Sequence, residues 1–308
     1  MAAGDAIPLH LYLCPLNLPG LSGEQQARLL ETLPVDEQQK VTRYRMASAR
    51  EKGLLVRCYL RALLSQAHGQ LSQCQLNQSP LSQSQLNADL NGAIAPSEWC
   101  FDYLDKGKPV LAEPFFARSQ LVFNLSHSGD YMLLAIAQAP QLELGVDIER
   151  LRVNTNIHAI LNHYFTHQER DALLALPSAR QRQRFFDLWA LKESYIKAKG
   201  MGLALSLKSF YFELSDSEPR TMNFKGLDAR QARLEQAARL FLVEEDSKHE
   251  ASEQEETSPG EQLTQPAAGW QSMLGQLDDE YRFALSLSSV KPIDWRCELV
   301  DPQTLFAD

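Results

Sequence analysis

None of the five cysteines in this 308-residue chain shows CxxC spacing, and their number (Cys14, Cys58, Cys74, Cys100, Cys297) is odd. A disulfide framework and a zinc site are both disfavoured, and free thiols in a reducing compartment are expected. No apolar run is long enough to span a membrane, and no basic segment precedes the short apolar stretch of MAAGDAIPLHLYLCPL. The expectation is a cytoplasmic protein without a membrane partner. Cations are scarce too: 30 Lys and Arg against 39 Asp and Glu leave a net charge of −9. Such a chain has no global field that gathers nucleic acid, so any anionic ligand must be held by a local basic patch. There is no GxSxG elbow, which speaks against a serine hydrolase. What remains is ordinary for a globular protein: 44% apolar and 22% charged residues, enough for one large domain or two smaller ones.

The longest informative stretch is FFDLWALKESYIKAKGMGL, residues 185–203, which reads as one amphipathic helix stopped by Gly200 and Gly202. Trp189, Glu193 and Lys197 recur at i, i+4 and i+8 and share a face. Alone, that face would be a solvated ion pair. Upstream, residues 36–64 carry a long helical pattern with Leu54, Leu55, Tyr59, Leu60 and Leu63 on its buried side. The same stretch holds Lys40, Arg43, Arg45, Arg50, Lys52, Arg57 and Arg61.

Strands are expected at 7–13, 99–103, 121–125, 131–137, 144–148, 210–214, 241–243 and 281–288. Thr166-x-x-Glu169 matches a capping box, which is sufficient to explain Glu169. Residues 65–91, rich in Gln, Ser and Asn, read as a flexible insertion that extends to about 97. The acidic stretch 244–269 reads as a disordered loop. Strands and helices without a regular βαβ rhythm imply an α+β fold.

Two short stretches carry chemistry. In LGVDIER, Asp147 and Glu149 lie two apart on a strand and so project from one face. Paired carboxylates suit Mg²⁺, which favours one or two of them together with waters and substrate phosphates. A solvent-facing strand edge explains an isolated DxE equally well, unless a third carboxylate such as Glu193 joins it. In FNLSHSGD, a strand delivers Ser126, His127 and Ser128 into a turn at Gly129, where hydroxyl, imidazole and freed backbone N–H groups could face an anion. His127 fits a core or turn histidine as well. Lys106 and Lys108 flank a glycine on the preceding turn.

The order GKP, FNLSHSG, GVDIE, WALKESYIKAKGMGL resembles the Sfp-type 4′-phosphopantetheinyl transferase family over roughly residues 40–210. The basic segment RYRMASAREKGLLVRCYLR is similar to that family's RYxxxxDRxR…LLR pattern, differing at Ala49 and Lys52. The resemblance implies that Asp147, Glu149 and Glu193 ligate Mg²⁺. It implies CoA contacts from Lys108, Ser126, His127, Lys192 and Lys197, with Arg43, Arg50 or Lys52 nearby. Glu193 would take the proton of a carrier serine, Lys197 would stabilise the leaving group, and His127 would assist.

The implied fold has two similar α/β halves related by pseudo-twofold symmetry, here 1–140 and 141–308, with CoA between them. The implied reaction moves 4′-phosphopantetheine from CoA to an apo carrier protein of a fatty-acid, polyketide, nonribosomal-peptide or polyunsaturated-fatty-acid synthase, releasing 3′,5′-ADP. The enzyme is expected to be a monomer. The alternatives are a non-catalytic CoA- or carrier-binding protein on the same fold, and a Mg²⁺-dependent phosphohydrolase.

Overall fold

A computed structural model describes residues 6–17, 22–78, 92–214, 220–221, 223–227, 232–243 and 264–306. Its helices are α1 (Gly23–Glu31), α2 (Val35–Thr42), α3 (Ala47–Gln78), α4 (Phe115–Ser119), α5 (Ile157–Tyr164), α6 (His167–Leu174), α7 (Ser178–Lys199) and α8 (Pro302–Leu305). Its strands are β1 (Ile7–Pro15), β2 (Phe101–Tyr103), β3 (Pro109–Leu111), β4 (Leu121–Ser128), β5 (Tyr131–Gln138), β6 (Leu144–Arg150) and β7 (Phe210–Leu214). They continue with β8 (Arg220–Thr221), β9 (Phe224–Lys225), β10 (Ala232–Val243), β11 (Thr264–Pro266), β12 (Gln271–Leu277), β13 (Tyr281–Leu287) and β14 (Ile293–Leu299). The fold is α+β.

The side-chain pattern of the strands builds four layers. One sheet runs β4-β5-β1-β14-β9 and the other β11-β10-β12-β13-β6, with β7 and β8 also paired to β10. On β1, Leu9, Leu11 and Leu13 face the second sheet, while Tyr12 and Cys14 face α3. On β5, Leu133, Ala135 and Ala137 point one way and Met132, Leu134 and Ile136 the other. A strand covered on both faces needs apolar residues at every position, which is why YMLLAIA does not alternate. On β13, Tyr281, Phe283, Leu285 and Leu287 enter the space between the sheets, and Ala284 packs toward α7. The order of layers is thus α3, first sheet, second sheet, α7.

The chain's last strand returns to its first: β14 runs parallel to β1, from Ile7 opposite Ile293 to Leu13 opposite Leu299. Residues 141–308 therefore contribute strands to both sheets. The expected single helical run at 36–64 is two helices, broken at residues 43–46. Thr42 turns its hydroxyl onto Gln39 O, a local bond that competes with helix continuation, and Arg50 reaches back to Tyr44 O. The five apolar residues expected on the buried side of α3 are all buried. The insertion expected at about 65–97 is helical through Gln78, with a 3₁₀ turn at Pro96–Glu98. Its middle, 79–91, lies outside the described residues. Of the acidic stretch 244–269, Thr264–Pro266 is strand β11, paired with β10, and 244–263 lies outside the described residues.

One glycine sets the relation of α7 to the second sheet. A methyl group on Gly145 of β6 would collide with Ser194 O and Ala198 N of α7, both backbone atoms that cannot swing aside. The helix lies directly on the strand at this point. Gly145→Ala is expected to cost about 1–3 kcal/mol, as overpacking of a tight contact does. A melting curve checks this, and an unchanged melting temperature would contradict the contact.

Candidate active site

The site forms where an edge strand of one sheet meets an edge strand of the other, β4 against β6. Side chains of β4 at every second position reach across. Asn124 Oδ1 accepts from Val146 N at 2.9 Å, Ser126 Oγ donates to Asp147 Oδ1 at 2.8 Å, and Ser128 Oγ accepts from Arg150 N at 3.1 Å. Ser128 Oγ also lies 3.3 Å from Glu149 Oε2. The strands make no regular ladder with each other, so side chains satisfy edge groups that a ladder would otherwise bond. Asn124 is a contributor that sequence reading missed. The available signal was its two-residue spacing from Ser126 and Ser128 on a strand.

The third wall is α7. Lys197 Nζ donates to Asp147 Oδ1 at 2.5 Å and to Ser126 Oγ at 2.7 Å. Asp147 is 3% exposed, and its Oδ2 is buried without a hydrogen-bond partner. Burial, and then the charge of Asp147, push the Glu149 carboxyl up to about 7. The same two causes, in the same order, raise Glu193, with Lys197 opposing them. Asp147 is thus coupled to Glu149 along β6 and to Glu193 across to α7, and it is itself buried. Among the described residues, no three metal-ligating side chains close into a ready cage. The donor set nevertheless fits a hard divalent cation, since Asp147 keeps an unpaired buried oxygen and two further carboxyls lie close enough to be raised by its charge.

Trp189, one turn before Glu193, is packed among Tyr164, Phe165 and Phe185, where it fixes the helix. The motif expected as a turn differs in one respect. Ser126, His127 and Ser128 remain on β4, opposite Leu133, Met132 and Tyr131, and so lie on the strand itself before the turn begins. The two-residue loop is Gly129–Asp130, and Gly129 takes a φ of +57°, which favours glycine.

The basic helix does arrive. Lys52 Nζ of α3 donates to Gly129 O at 2.5 Å and lies 3.6 Å from Asp130. The desolvating walls lower the pKa of His127, and Lys197 and Lys52 then lower it further. Arg50 and Arg43 are exposed at the start of the same helix region, Arg50 being held to Tyr44 O. Arg61, by contrast, is a buried structural cation bonded to Glu37, Pro96 O and Trp99 O.

Two expected CoA contacts are placed elsewhere. Lys192 is fully buried, 2.8 Å from Glu169, and donates to Leu207 O and Phe210 O. Its side chain points away from the Asp147 face and cannot reach a ligand there. Glu169 closes the capping box with Thr166 as expected, but it also holds Lys192 and accepts from Phe212 N. Lys108 Nζ donates to Leu144 O and Ala198 O, and burial lowers its pKa to about 8. Two of the three N–H donors of that ammonium are spent on these carbonyls, so a phosphate could meet only the third while the side chain stays anchored between Leu144 and Ala198.

The family model described as the 4′-phosphopantetheinyl transferase superfamily matches residues 143–251, which contain β6 and α7. The 4′-phosphopantetheinyl transferase HetI of a Nostoc species is 30% identical over 211 residues, 68% of this chain and 76% of that relative. The chain belongs to the 4′-phosphopantetheinyl transferase family. It is 28% identical to the 4′-phosphopantetheinyl transferase Sfp of Bacillus subtilis over 206 residues, 67% of this chain and 77% of the relative. The human L-aminoadipate-semialdehyde dehydrogenase-phosphopantetheinyl transferase is 35% identical over 159 residues, covering 48% of this chain and 47% of the relative. Family membership makes the chain a phosphopantetheinyl transferase, and the junction of β4, β6 and α7 is its candidate active site.

His127 provides a pH test of this transferase. Its imidazole is depressed in the free protein by its surroundings and two cations. A phosphate placed among those cations would reverse that shift, so CoA binding should take up a proton at His127. Affinity for CoA should then rise as pH falls from 8 to 6, by more in the wild type than in His127→Gln. Calorimetry in buffers of different ionisation enthalpy reads the proton directly. Equal proton uptake in the two proteins would remove His127 from the ligand's surroundings. At pH 6 the substitution should weaken binding roughly ten- to a hundredfold.

Proposed function

We propose that the chain transfers 4′-phosphopantetheine from CoA to a serine hydroxyl of an apo carrier protein, with Mg²⁺ held by Asp147, Glu149 and Glu193. The observation that carries this reading is the meeting of Asp147, Ser126 and Lys197 within 2.8 Å at a buried carboxylate whose second oxygen has no hydrogen-bond partner. When bound there, Mg²⁺ would offset the charge of the diphosphate and of the carboxylates around it.

The residues supply the rest. The serine oxygen forms a bond to the phosphorus that bears pantetheine, the bond from that phosphorus to the bridging oxygen breaks, and 3′,5′-ADP leaves with the electron pair. Glu193, whose pKa is raised by burial and by Asp147, accepts the serine proton. Lys197 holds Asp147 in place and presents its ammonium to the leaving oxygen. Such a reaction depends on positioning and charge, which rigid elements provide better than loops. His127 and Lys52 form the basic side that receives the phosphates of CoA, with Arg43 and Arg50 exposed near the start of α3 as further cations for it. A pseudo-twofold relation of two halves is part of this proposal; what supports it is that each sheet is backed by a long helix, α3 on the first and α7 on the second, with β9 and β14 of the second half added to the first sheet.

The chain is proposed to act as a cytoplasmic monomer. The buried free thiols Cys14, Cys58 and Cys297 support a reducing compartment. The carrier would come from a fatty-acid, polyketide, nonribosomal-peptide or polyunsaturated-fatty-acid synthase. Intact-mass measurement on a panel of such apo carriers, each incubated with CoA and Mg²⁺, should show the gain of one phosphopantetheine group on at least one. Binding of CoA without any mass gain would identify a non-catalytic binder. Free phosphopantetheine formed without a carrier would identify a hydrolase.

A further inference from the structure

The hairpin of β2 and β3 ends in a tight turn at Gly107, and Lys108 leaves from the end of that turn toward the second sheet. Its Nζ donates to Leu144 O at 3.0 Å and to Ala198 O at 2.9 Å. Leu144 opens β6, three residues before Asp147, and Ala198 directly follows Lys197 on α7. We propose that Lys108 is a positioning residue: a strut that fixes β6 against the last turn of α7, so that Asp147 and Lys197 meet in a reactive arrangement. The proposal deepens the reading of the site given above and rests on it.

Three features make this end of α7 the place where a strut matters. The last carbonyls of a helix have no partner inside it, and the helix dipole makes them a favourable site for a cation. Gly200 ends α7 in the left-handed region and bonds back to Ile196 O, so the Ala198 carbonyl is available to Lys108. The lysine stem lies along the same glycine, since a methyl on Gly200 would stand 3.2 Å from Lys108 Cδ.

Side chains tie α7 to β13, Ser194 Oγ lying 2.8 Å from Ser286 Oγ and Asp187 2.8 Å from Arg282, whereas against β6 the helix lies backbone on backbone at Gly145 and is tied by Lys197 to Asp147. Besides Lys108, the Glu143–Lys199 ion pair ties this end at 2.9 Å, but both its side chains are substantially exposed. A solvated pair of that kind holds little. Lys108 is the tie that joins two backbone atoms, one on each element.

The test compares Lys108→Met, which keeps the stem and loses the donors, with Lys108→Arg, which keeps donors and charge. Three quantities are read: the dissociation constant for CoA, kcat for carrier modification at saturating CoA, and amide exchange across residues 196–200. In Lys108→Met, kcat should fall roughly ten- to a hundredfold, as a misplacement of about 1 Å does. CoA affinity should stay within about twofold, and exchange in the last turn of α7 should accelerate. Lys108→Arg should recover most of kcat, and Lys199→Ala should behave as wild type.

A CoA dissociation constant raised about tenfold or more with kcat retained would make Lys108 a phosphate ligand and overturn the proposal, as would no change in any of the three. If the methionine variant does not fold, Lys108→Gln, whose shorter neutral side chain cannot bridge both carbonyls, is read against the same outcomes. Should the wild type modify no carrier, the reading of the reaction fails, and amide exchange still decides whether Lys108 holds the helix.

Discussion

Replacing Lys192 by alanine should unfold this protein far more readily than it alters any ligand affinity. Lys192 and Glu169 are each 0% exposed at the side chain and lie 2.8 Å apart. The ammonium has two further acceptors, Leu207 O and Phe210 O, and stands 4.4 Å from the centre of the Phe210 ring. The carboxylate has further donors in Thr166 N and Phe212 N. Burial drives both groups toward neutrality, raising Glu169 and lowering Lys192, and the pair opposes that drive.

Removing one partner leaves an uncompensated buried charge, which typically costs about 3–5 kcal/mol. The melting temperature should therefore drop by roughly 5–15 °C. The double variant Lys192→Met, Glu169→Leu should lose less than either single alanine change, because a pair of apolar residues leaves no orphaned charge. Thermal denaturation of the three proteins checks this. An unchanged melting temperature with lost CoA affinity would return Lys192 to the ligand side of the helix.

The opposite behaviour is expected one strand away. Asp147→Asn keeps the shape and the bond to Ser126 but removes the charge that pairs with Lys197 and faces Glu149 and Glu193. Loss of a preorganised electrostatic group typically costs two to three orders of magnitude in kcat, and a comparable or larger loss is expected here. Stability should be held or increased. Asp147 contributes to raising Glu149 to about 7. A carboxyl raised above its unfolded value of 4.5 favours the folded state below that value, and this contribution is lost as pH rises through 7. With Asp147 neutral, Glu149 returns toward its ordinary range and the loss shrinks. At pH 8 and without metal, the variant should melt no lower than wild type. A variant that is inactive and also clearly destabilised would make Asp147 a structural residue.

These two lysine–carboxylate pairs also mark what the sequence could and could not say. Asp147, Glu149, Glu193 and Lys197 were legible because the period of a strand and the period of a helix put each set on one face. Lys192, adjacent to Glu193 in the same motif, was misplaced because a helix turns 100° per residue and the motif alone does not say which flank is buried. Its partner Glu169 lies 23 residues earlier, and only tertiary packing joins them. The α+β class followed from the mixture of strands and helices, and β5 was evident from its apolar run. The parallel return of β14 onto β1 was not legible, since a strand's partner is encoded in no local pattern. Asn124 was readable as a strand residue but not as a bond to the neighbouring edge, because nothing in FNLSHSGD says that β6 lies beside it.

The most direct measurement is a single-turnover reaction of apo carrier, CoA and Mg²⁺, followed by intact mass, with wild type and Asp147→Asn side by side and with EDTA in a parallel sample. The wild type should add one phosphopantetheine group when Mg²⁺ is present and none in EDTA, and Asp147→Asn should add none within many wild-type half-times. Modification by Asp147→Asn at the wild-type rate, or by the wild type at full rate in EDTA, would contradict a metal-assisted transfer centred on Asp147.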